Sequence, residues 1–332
     1  MSRISNLPYK LARRYRHIVA DWRGRLGLNE RLFREARGAR MVVYHGICRS
    51  EPHRFNSLFV DTTTFEDHLR FYSEYFHLLS LDDYFAGRFS KDRFNLCIGF
   101  DDGFANNYRY ALPLMRTHRA PMAFFVTGAS ERGDAFLWND WLSYLQKYGP
   151  GEFRLPDGPI YTRRKGRYID VRDGLALRDR LQNGDFEGKE ALIRHLGPLP
   201  GMEAYEEHWR QMSREQLQTL ALEPLATIGC HGYYHNDLAR IPLASAIEEL
   251  RLSKIYLDGL TAKPVHALAF PYGSYSRALV SAAKGLGFDQ QLALDLLFSA
   301  DRTDPHLRPR MVINPYISIT NQMTAIVHGN YR

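Results

Sequence analysis

The 332-residue sequence predicts an α/β fold: a parallel sheet rolled into a (β/α) barrel. Two observations predict it. Short apolar runs alternate with stretches of helical periodicity through most of the chain, a rhythm that belongs to parallel sheets with helices on the outside. The residues with chemical potential, His45, Asp101, Asp102, His231 and Tyr272, each stand at or just beyond the end of an apolar run. A parallel barrel gathers such strand ends on one rim, where active sites are built.

Taken in order, residues 1–38 form a basic helical extension. Residues 5–36 read as one or two helices, with Leu7, Leu11, Tyr15, Ile18, Val19 and Trp22 on one side and arginines around the rest. Residues 1–40 hold eleven Lys and Arg against Asp21, Glu30 and Glu35, so this segment carries +8 of a chain whose net charge is +7. The remainder is close to neutral, so the basicity is not spread over the fold. Such a helix lies on an anionic membrane surface, packs on the barrel as an ordinary solvated helix, or contacts nucleic acid. No nucleic-acid-binding signature accompanies the arginines, and nucleic acid is not an expected partner.

Residues 39–332 carry the barrel. Met41–Tyr44 is an apolar strand ending at His45-Gly46, and residues 64–79 are helical in pattern (Phe65, Leu69, Tyr72, Phe76). Asn95–Phe100 is a buried strand that ends at Asp101-Asp102-Gly103, and Phe104–His118 follows as a helix. Pro121–Val126 is the next strand, and the chain then becomes aromatic around Phe136–Trp141. From about 149 to 212 the rhythm is lost and the chain turns polar, which reads as a lid-like insertion, partly helical at 173–182 and 189–195. Regular order resumes at Ser213-Arg214-Glu215-Gln216, a capping-box pattern that opens a helix. Strands at 225–230, 265–270, 291–294 and 310–313 and helices at 242–260 and 276–284 complete the pattern.

An apolar share of 45% with 24% charged residues excludes a disordered chain. Three dispersed cysteines, Cys48, Cys97 and Cys230, suit a reducing compartment and not a disulfide scaffold. No apolar run reaches the roughly 18 residues of a bilayer span, and the N-terminus shows no signal-peptide core. The expected location is cytoplasmic, with peripheral contact at the inner face of an anionic membrane through residues 1–36.

Adjacent carboxylates at a strand end repel one another unless a positive group holds one of them, most simply a metal ion. His231-Gly232-Tyr233-Tyr234-His235 supplies two imidazoles four residues apart, a spacing that on a helical turn puts both on one face. Two His and one carboxylate leave coordination positions open for water and substrate. The other aspartate is then free to act as general base. This set suits hydrolysis of an acyl bond; it also occurs in Fe(II) oxygenases, but on a different fold.

Phe100-Asp101-Asp102-Gly103, His231-Gly232-Tyr233-Tyr234-His235 and Phe270-Pro271-Tyr272-Gly273, in this order, resemble the polysaccharide deacetylases with a NodB-type domain. The resemblance spans about residues 38–320. It implies a distorted (β/α) barrel of the NodB type and metal-dependent removal of an N- or O-acyl group, acetyl above all, from a sugar. It makes Asp101 the general base and Asp102, His231 and His235 the ligands of a divalent metal, most often Zn²⁺. The Tyr272 backbone N–H would then help hold the oxyanion. The opening Val43-Tyr44-His45-Gly46 is similar to the subgroup acting on exopolysaccharide and surface glycans.

Two features depart from that pattern. The family's Arg before the Pro-Tyr is replaced by Ala267-Leu268-Ala269, and Arg310 is the residue that could substitute for it. The late motif that supplies the general acid is not recognisable. His45 is assigned that role, with His306 and His328 as weaker alternatives. Pro271, Tyr272, Trp138, Asp140 and Arg310 are expected to line the saccharide site. The expected substrate is an acylated saccharide, with lipid-linked and nucleotide-linked sugars among the forms considered. Competing functions are a deformylase or amidase on a linked sugar, and a glycan-binding homologue without catalysis.

Overall fold

The central sheet runs in the order β13 (Leu307–Pro309), β12 (Gln290–Ala293), β11 (Ala267–Ala269), β10 (Ala226–Cys230), β6 (Met122–Val126), β5 (Phe94–Phe100), β1 (Ala39–Tyr44), β14 (Met311–Val312), with every pairing parallel. In the computed structural model, residues 18–331 are described except 20, 23, 25, 134–135, 156–157 and 198. β1 (Ala39–Tyr44) pairs with β5 (Phe94–Phe100), and β6 (Met122–Val126), β10 (Ala226–Cys230), β11 (Ala267–Ala269) and β12 (Gln290–Ala293) follow around the barrel. The sheet ends are β13 (Leu307–Pro309) and β14 (Met311–Val312), and only Arg310 separates them in the chain. Up to Arg310 this segment pairs with β12; beyond it, the partner is β1. The change of partner nearly closes the barrel. Arg310 donates its backbone N–H to Ala293 and Ile313 donates to Val43, so the ladder is carried across the switch.

Alternation along the strands divides the core in two, as a period of two requires. Val42, Tyr44, Ile98, Phe100, Phe124 and Val126 belong to the large cluster shared with the helices. Met41, Cys97, Ala123, Phe125, Ala267, Ala269 and Leu292 form a separate, smaller cluster. That interior is narrow. A Cβ added to Gly229 would lie 2.5 Å from Phe125, so a bare backbone there is what lets the Phe125 ring fill the barrel.

Most expected elements are present, shifted by a residue or two. The helix expected over 64–79 runs Thr62–Tyr75 and is followed by a strand, β4 (Phe76–Leu79). β4 pairs with the first half of β5, while β6 pairs with the second. The strand escaped notice because its apolar residues continue the helical spacing of the segment before it. The Ser213/Gln216 capping box is formed at the head of the helix Arg214–Ala221. A helix at Ile319–His328, not expected from the sequence, closes the chain.

The segment expected as an insertion over about 149–212 contains a three-stranded antiparallel sheet: β7 (Glu152–Arg154), β8 (Ile160–Arg164) and β9 (Arg167–Asp170). Helices at Leu177–Gln182 and Phe186–Leu196 follow. Its apolar residues make a cluster of their own, which begins upstream of 149 with Trp138, Trp141, Leu142 and Leu145 on the helix Trp138–Tyr148. The module thus runs from about 138 to 209, and its core is the aromatic stretch plus the insertion. A further short pair, β2 (Ile47–Cys48) with β3 (Val60–Asp61), flanks the loop after His45.

Of the N-terminal extension, residues 1–17, including Leu7, Leu11 and Tyr15, lie outside the described residues. Asp21 accepts a hydrogen bond from Asn321 at 2.6 Å and another from Ser318, which ties this segment to the last helix. Ile18, Trp22, Leu26 and Leu28 are exposed. Among the described residues no helix is long and apolar enough to cross a membrane. All three cysteines are buried and unpaired.

Candidate active site

Four strand ends supply the site. β1 delivers His45, β5 delivers Asp101 and Asp102, β10 delivers His231 and the loop to His235, and β11 leads through Phe270 to Pro271–Gly273. A cavity of about 350 Å³ at this mouth is lined by His45, Asp101, Asp102, Asp140, His231, His235, Tyr272 and Arg310, among others. Of the residues expected to form the site, Trp138 and Pro271 do not line it, and neither do the weaker candidates His306 and His328.

The two aspartates have different partners. Arg310 Nη1 donates to Asp101 Oδ1 at 2.6 Å and Nη2 to Oδ2 at 3.0 Å, a bidentate pair buried on both sides. Burial opposes ionisation of Asp101, but Arg310 and His231 outweigh it and hold the carboxyl below its usual range. Asp102 instead faces the imidazoles: Oδ1 lies 3.4 Å from His231 Nε2 and 3.1 Å from His235 Nε2. Burial again opposes ionisation, and the neighbouring imidazoles hold this carboxyl well below its usual range.

His231 Nδ1 is 2.8 Å from the Ala269 carbonyl oxygen. A carbonyl only accepts, so Nδ1 carries the proton and Nε2 keeps its lone pair for the cavity. Asp102, His231 and His235 offer ligand atoms that all lie within 4.8 Å of one another, and all three residues are buried. One carboxylate oxygen and two imidazole nitrogens fit a divalent cation of intermediate softness. The other carboxylate, Asp101, is 3.7 Å from His231 Nε2 but is committed to Arg310.

The His231–His235 segment is not a helical turn, as its spacing suggested, but a loop. Gly232 has φ +74° and His235 φ +56°. Glu249, buried on the helix Leu243–Asp258, accepts from the Tyr234 N–H at 2.9 Å and from Asn236 Nδ2 at 2.8 Å, and so fixes the loop from beneath. A Cβ on Gly232 would sit 2.8 Å from Glu249 Oε1. The glycine is there to let that carboxylate approach.

The remaining expected residues fall as follows. His45 lines the cavity, and its buried Nδ1 has no hydrogen-bond partner among the described residues; burial pushes its imidazole below the ordinary value. Asp140 lines the cavity, and burial, then the charge of Asp102, push its carboxyl well above the usual range. Tyr272 lines it in a left-handed backbone conformation, φ +60°, with its hydroxyl 3.5 Å from His235 Nδ1. Pro271 is buried, its Cγ 3.3 Å from where a Gly232 Cβ would stand. Trp138 is corrected from a sugar-lining ring to a buried support: its indole N–H donates to the His235 carbonyl at 3.0 Å. Its ring is covered by the module, which is why it does not reach the cavity. His306 and His328 do not line the cavity.

Sequence reasoning missed Arg178, Asn139, Ser143 and the Phe55–Leu58 loop, which complete the cavity wall. Arg178 and Ser143 stand on separate helices of the module, with Arg178 Nη2 3.5 Å from Ser143 Oγ. For Asn139, Ser143 and Arg178 the only signal was nearness in sequence to Asp140 and to the insertion.

A parallel barrel whose C-terminal mouth gathers a buried Asp-His-His cluster beside an arginine-clamped aspartate has the constitution of a hydrolytic centre. The polysaccharide deacetylase family model matches residues 202–291, a segment that contains the His231–His235 and Phe270–Gly273 motifs. Among solved structures, the deacetylase PplD of Streptococcus pyogenes, in complex with acetate, is similar at 15% identity and a TM-score of 0.58, over 88% of this chain and 99% of that one. IcaB from Ammonifex degensii is similar at 16% identity and a TM-score of 0.54, over 88% and 97%. A polysaccharide deacetylase from Bacillus cereus is similar at 15% identity and a TM-score of 0.55, over 88% and 69%. No curated protein sequence matches the chain. The family match over this segment bears out the resemblance read from the motifs, and the structural likenesses bear out the fold.

Proposed function

We propose that the chain is a metal-dependent hydrolase that removes an acyl group, acetyl above all, from an amino or hydroxyl group of a saccharide in bacterial surface glycan or exopolysaccharide synthesis. The observation that carries this reading is the separation of tasks between neighbours. Asp101 is clamped by Arg310 on both oxygens, while Asp102 stands within 3.4 Å of both imidazoles.

Asp102, His231 and His235 would hold the cation, which when bound would supply the positive charge that polarises an acyl carbonyl and eases loss of a proton from water. Asp101, kept ionised by Arg310, accepts that proton as general base. The Tyr272 N–H, presented from a left-handed residue at the rim, donates to the oxygen that becomes negative as the carbonyl carbon turns tetrahedral. His45 passes a proton to the departing amine or hydroxyl, and the proton taken up by Asp101 makes good the one that His45 gives. The bond broken joins the acyl carbon to the sugar's nitrogen or oxygen, and the products are the carboxylate and the free sugar group.

The test is release of acetate from N- and O-acetylated saccharides by the protein loaded with Zn²⁺. Asp101→Asn is expected to lower turnover by about 10²-fold or more while metal content stays near one ion per chain. His231→Ala is expected to lose both. Full turnover by Asp101→Asn would remove Asp101 from the role of base.

A further inference from the structure

Lys189 is a buried cation that the hydrolytic scheme does not use. It stands on the helix Phe186–Leu196 at 1% exposure, and its neighbours are not those of a structural ion pair. Its Nζ donates to Asn236 Oδ1 at 2.5 Å and lies 4.7 Å from the centre of the Trp138 ring. Among the described residues no carboxylate stands within salt-bridge distance of it, and burial pulls its ammonium down to about 8. Burying an ammonium without a paired carboxylate is costly, so this position calls for a compensating role.

Its contacts converge on one short stretch of chain. Lys189 holds the Asn236 side chain, Trp138 Nε1 donates to the His235 carbonyl at 3.0 Å, and Gln182 Nε2 donates to Asp237 Oδ2 at 3.2 Å. Three residues from three helices of the module thus grip three successive residues, 235 to 237. The residue at the head of that stretch, His235, is held at φ +56°, a backbone region that non-glycine residues occupy only when their surroundings over-determine it. Glu249 fixes the same loop from the barrel side through Tyr234 and Asn236. Asn236 is therefore shared between barrel and module, with Glu249 on its amide nitrogen and Lys189 on its amide oxygen.

We propose that Lys189 and Trp138, with Gln182 beside them, are positioning residues through which the inserted module holds His235 in place for a divalent cation. The module is then part of the cation site as well as a wall of the saccharide cavity. The inference rests on the reading that Asp102, His231 and His235 bind such an ion. Residues behind a metal ligand typically change affinity by about 10–100-fold when removed, because the ligand must then be ordered at the moment of binding.

The measurement is the affinity of the chelator-stripped full chain for Co²⁺ and Zn²⁺, with the visible spectrum of bound Co²⁺ reporting ligand geometry. Trp138→Phe keeps an aromatic ring and removes the N–H donor together with the pyrrole half of the indole. Lys189→Met keeps length and burial, removes the charge and leaves the Asn236 amide oxygen without this donor. Each is expected to weaken metal binding about tenfold or more and to alter the Co²⁺ spectrum, with the thermal transition retained; Lys189→Arg, which keeps a donor, should lose less. His231→Ala is the control for the site itself and should not bind. If the intact protein binds no metal, the proposed function and this inference fall together. If it binds and His231→Ala does not, yet Trp138→Phe and Lys189→Met keep the intact protein's affinity and spectrum, the positioning role alone is overturned. Should Lys189→Met lose its thermal transition, Trp138→Phe decides.

Discussion

Asp101 and Asp102 are neighbours with the same chemistry, and only their surroundings give them different work. The guanidinium of Arg310 comes from 209 residues away and takes both oxygens of Asp101. Without it, a buried carboxylate would stand beside a second one with no counter-charge. Arg310→Met is therefore expected to cost about 3–5 kcal/mol of stability, the usual penalty for breaking a buried pair from one side. Turnover should fall by about 10²-fold or more while the Asp102, His231 and His235 cluster still takes up metal. Arg310→Lys offers a single point of charge where a planar fork was needed, and should recover only part of either loss. Urea denaturation, turnover and metal content, measured on both variants, check this; a fully active Arg310→Met would show that the guanidinium is not what readies Asp101.

At the scale of elements, the site depends on what each strand end does next, and here the sequence was legible in one respect and silent in another. Which residues meet was readable: the motifs at 101–102, 231–235 and 270–273 all follow apolar runs, and a parallel barrel leaves them no other place than its mouth. How the loops run was not. The four-residue spacing of the histidines fits a helical turn, but Glu249 and the left-handed Gly232 select a loop, and of these two only the glycine lies within the motif. Strands of two to four residues, such as β4 and β13, also lacked enough period to declare themselves. The cavity wall from Arg178 and Ser143 and the support from Lys189 depend on contacts across the module's own core, which no local pattern shows. The loop itself yields a test in Gly232→Ala. It adds strain at φ +74° and a methyl 2.8 Å from Glu249 Oε1, the carboxylate that accepts from Tyr234. Gly166→Ala is the matched control: φ is +75°, but the space around it is open. Both should lose about 1–2 kcal/mol from backbone strain. Only Gly232→Ala should lose more than that, and only it should weaken metal binding. Equal losses in the two, with metal affinity unchanged, would mean that Glu249 moves aside freely and does not set the loop.

At the scale of the whole molecule, the barrel wall also sets how the fold responds to acid. His68 is buried on the helix Thr62–Tyr75, and its Nδ1 shares a hydrogen bond with the Tyr44 hydroxyl at 2.8 Å, on the outer face of β1. Tyr44 in turn is 2.8 Å from the Tyr72 hydroxyl, so the polar atoms between helix and strand satisfy one another without a charge. Burial lowers the His68 imidazole to about 4, with Asp61 opposing weakly. An imidazole in the unfolded chain takes its proton near pH 6.5. Between those values the unfolded state binds a proton that the folded state refuses, so stability is complete above about pH 6.5, falls as the pH is lowered, and levels off below about pH 4. The full loss from this one group is about 3 kcal/mol. Denaturant titrations of the intact protein and of His68→Phe at pH 7 and pH 4.5 isolate it, because acid effects common to both cancel in the difference. His68→Phe starts less stable at pH 7, having lost the Tyr44 contact, and should lose less on acidification, so the two proteins converge in stability as the pH falls. Parallel losses would mean that His68 is protonated within the fold and that the wall between β1 and its helix accommodates a charge.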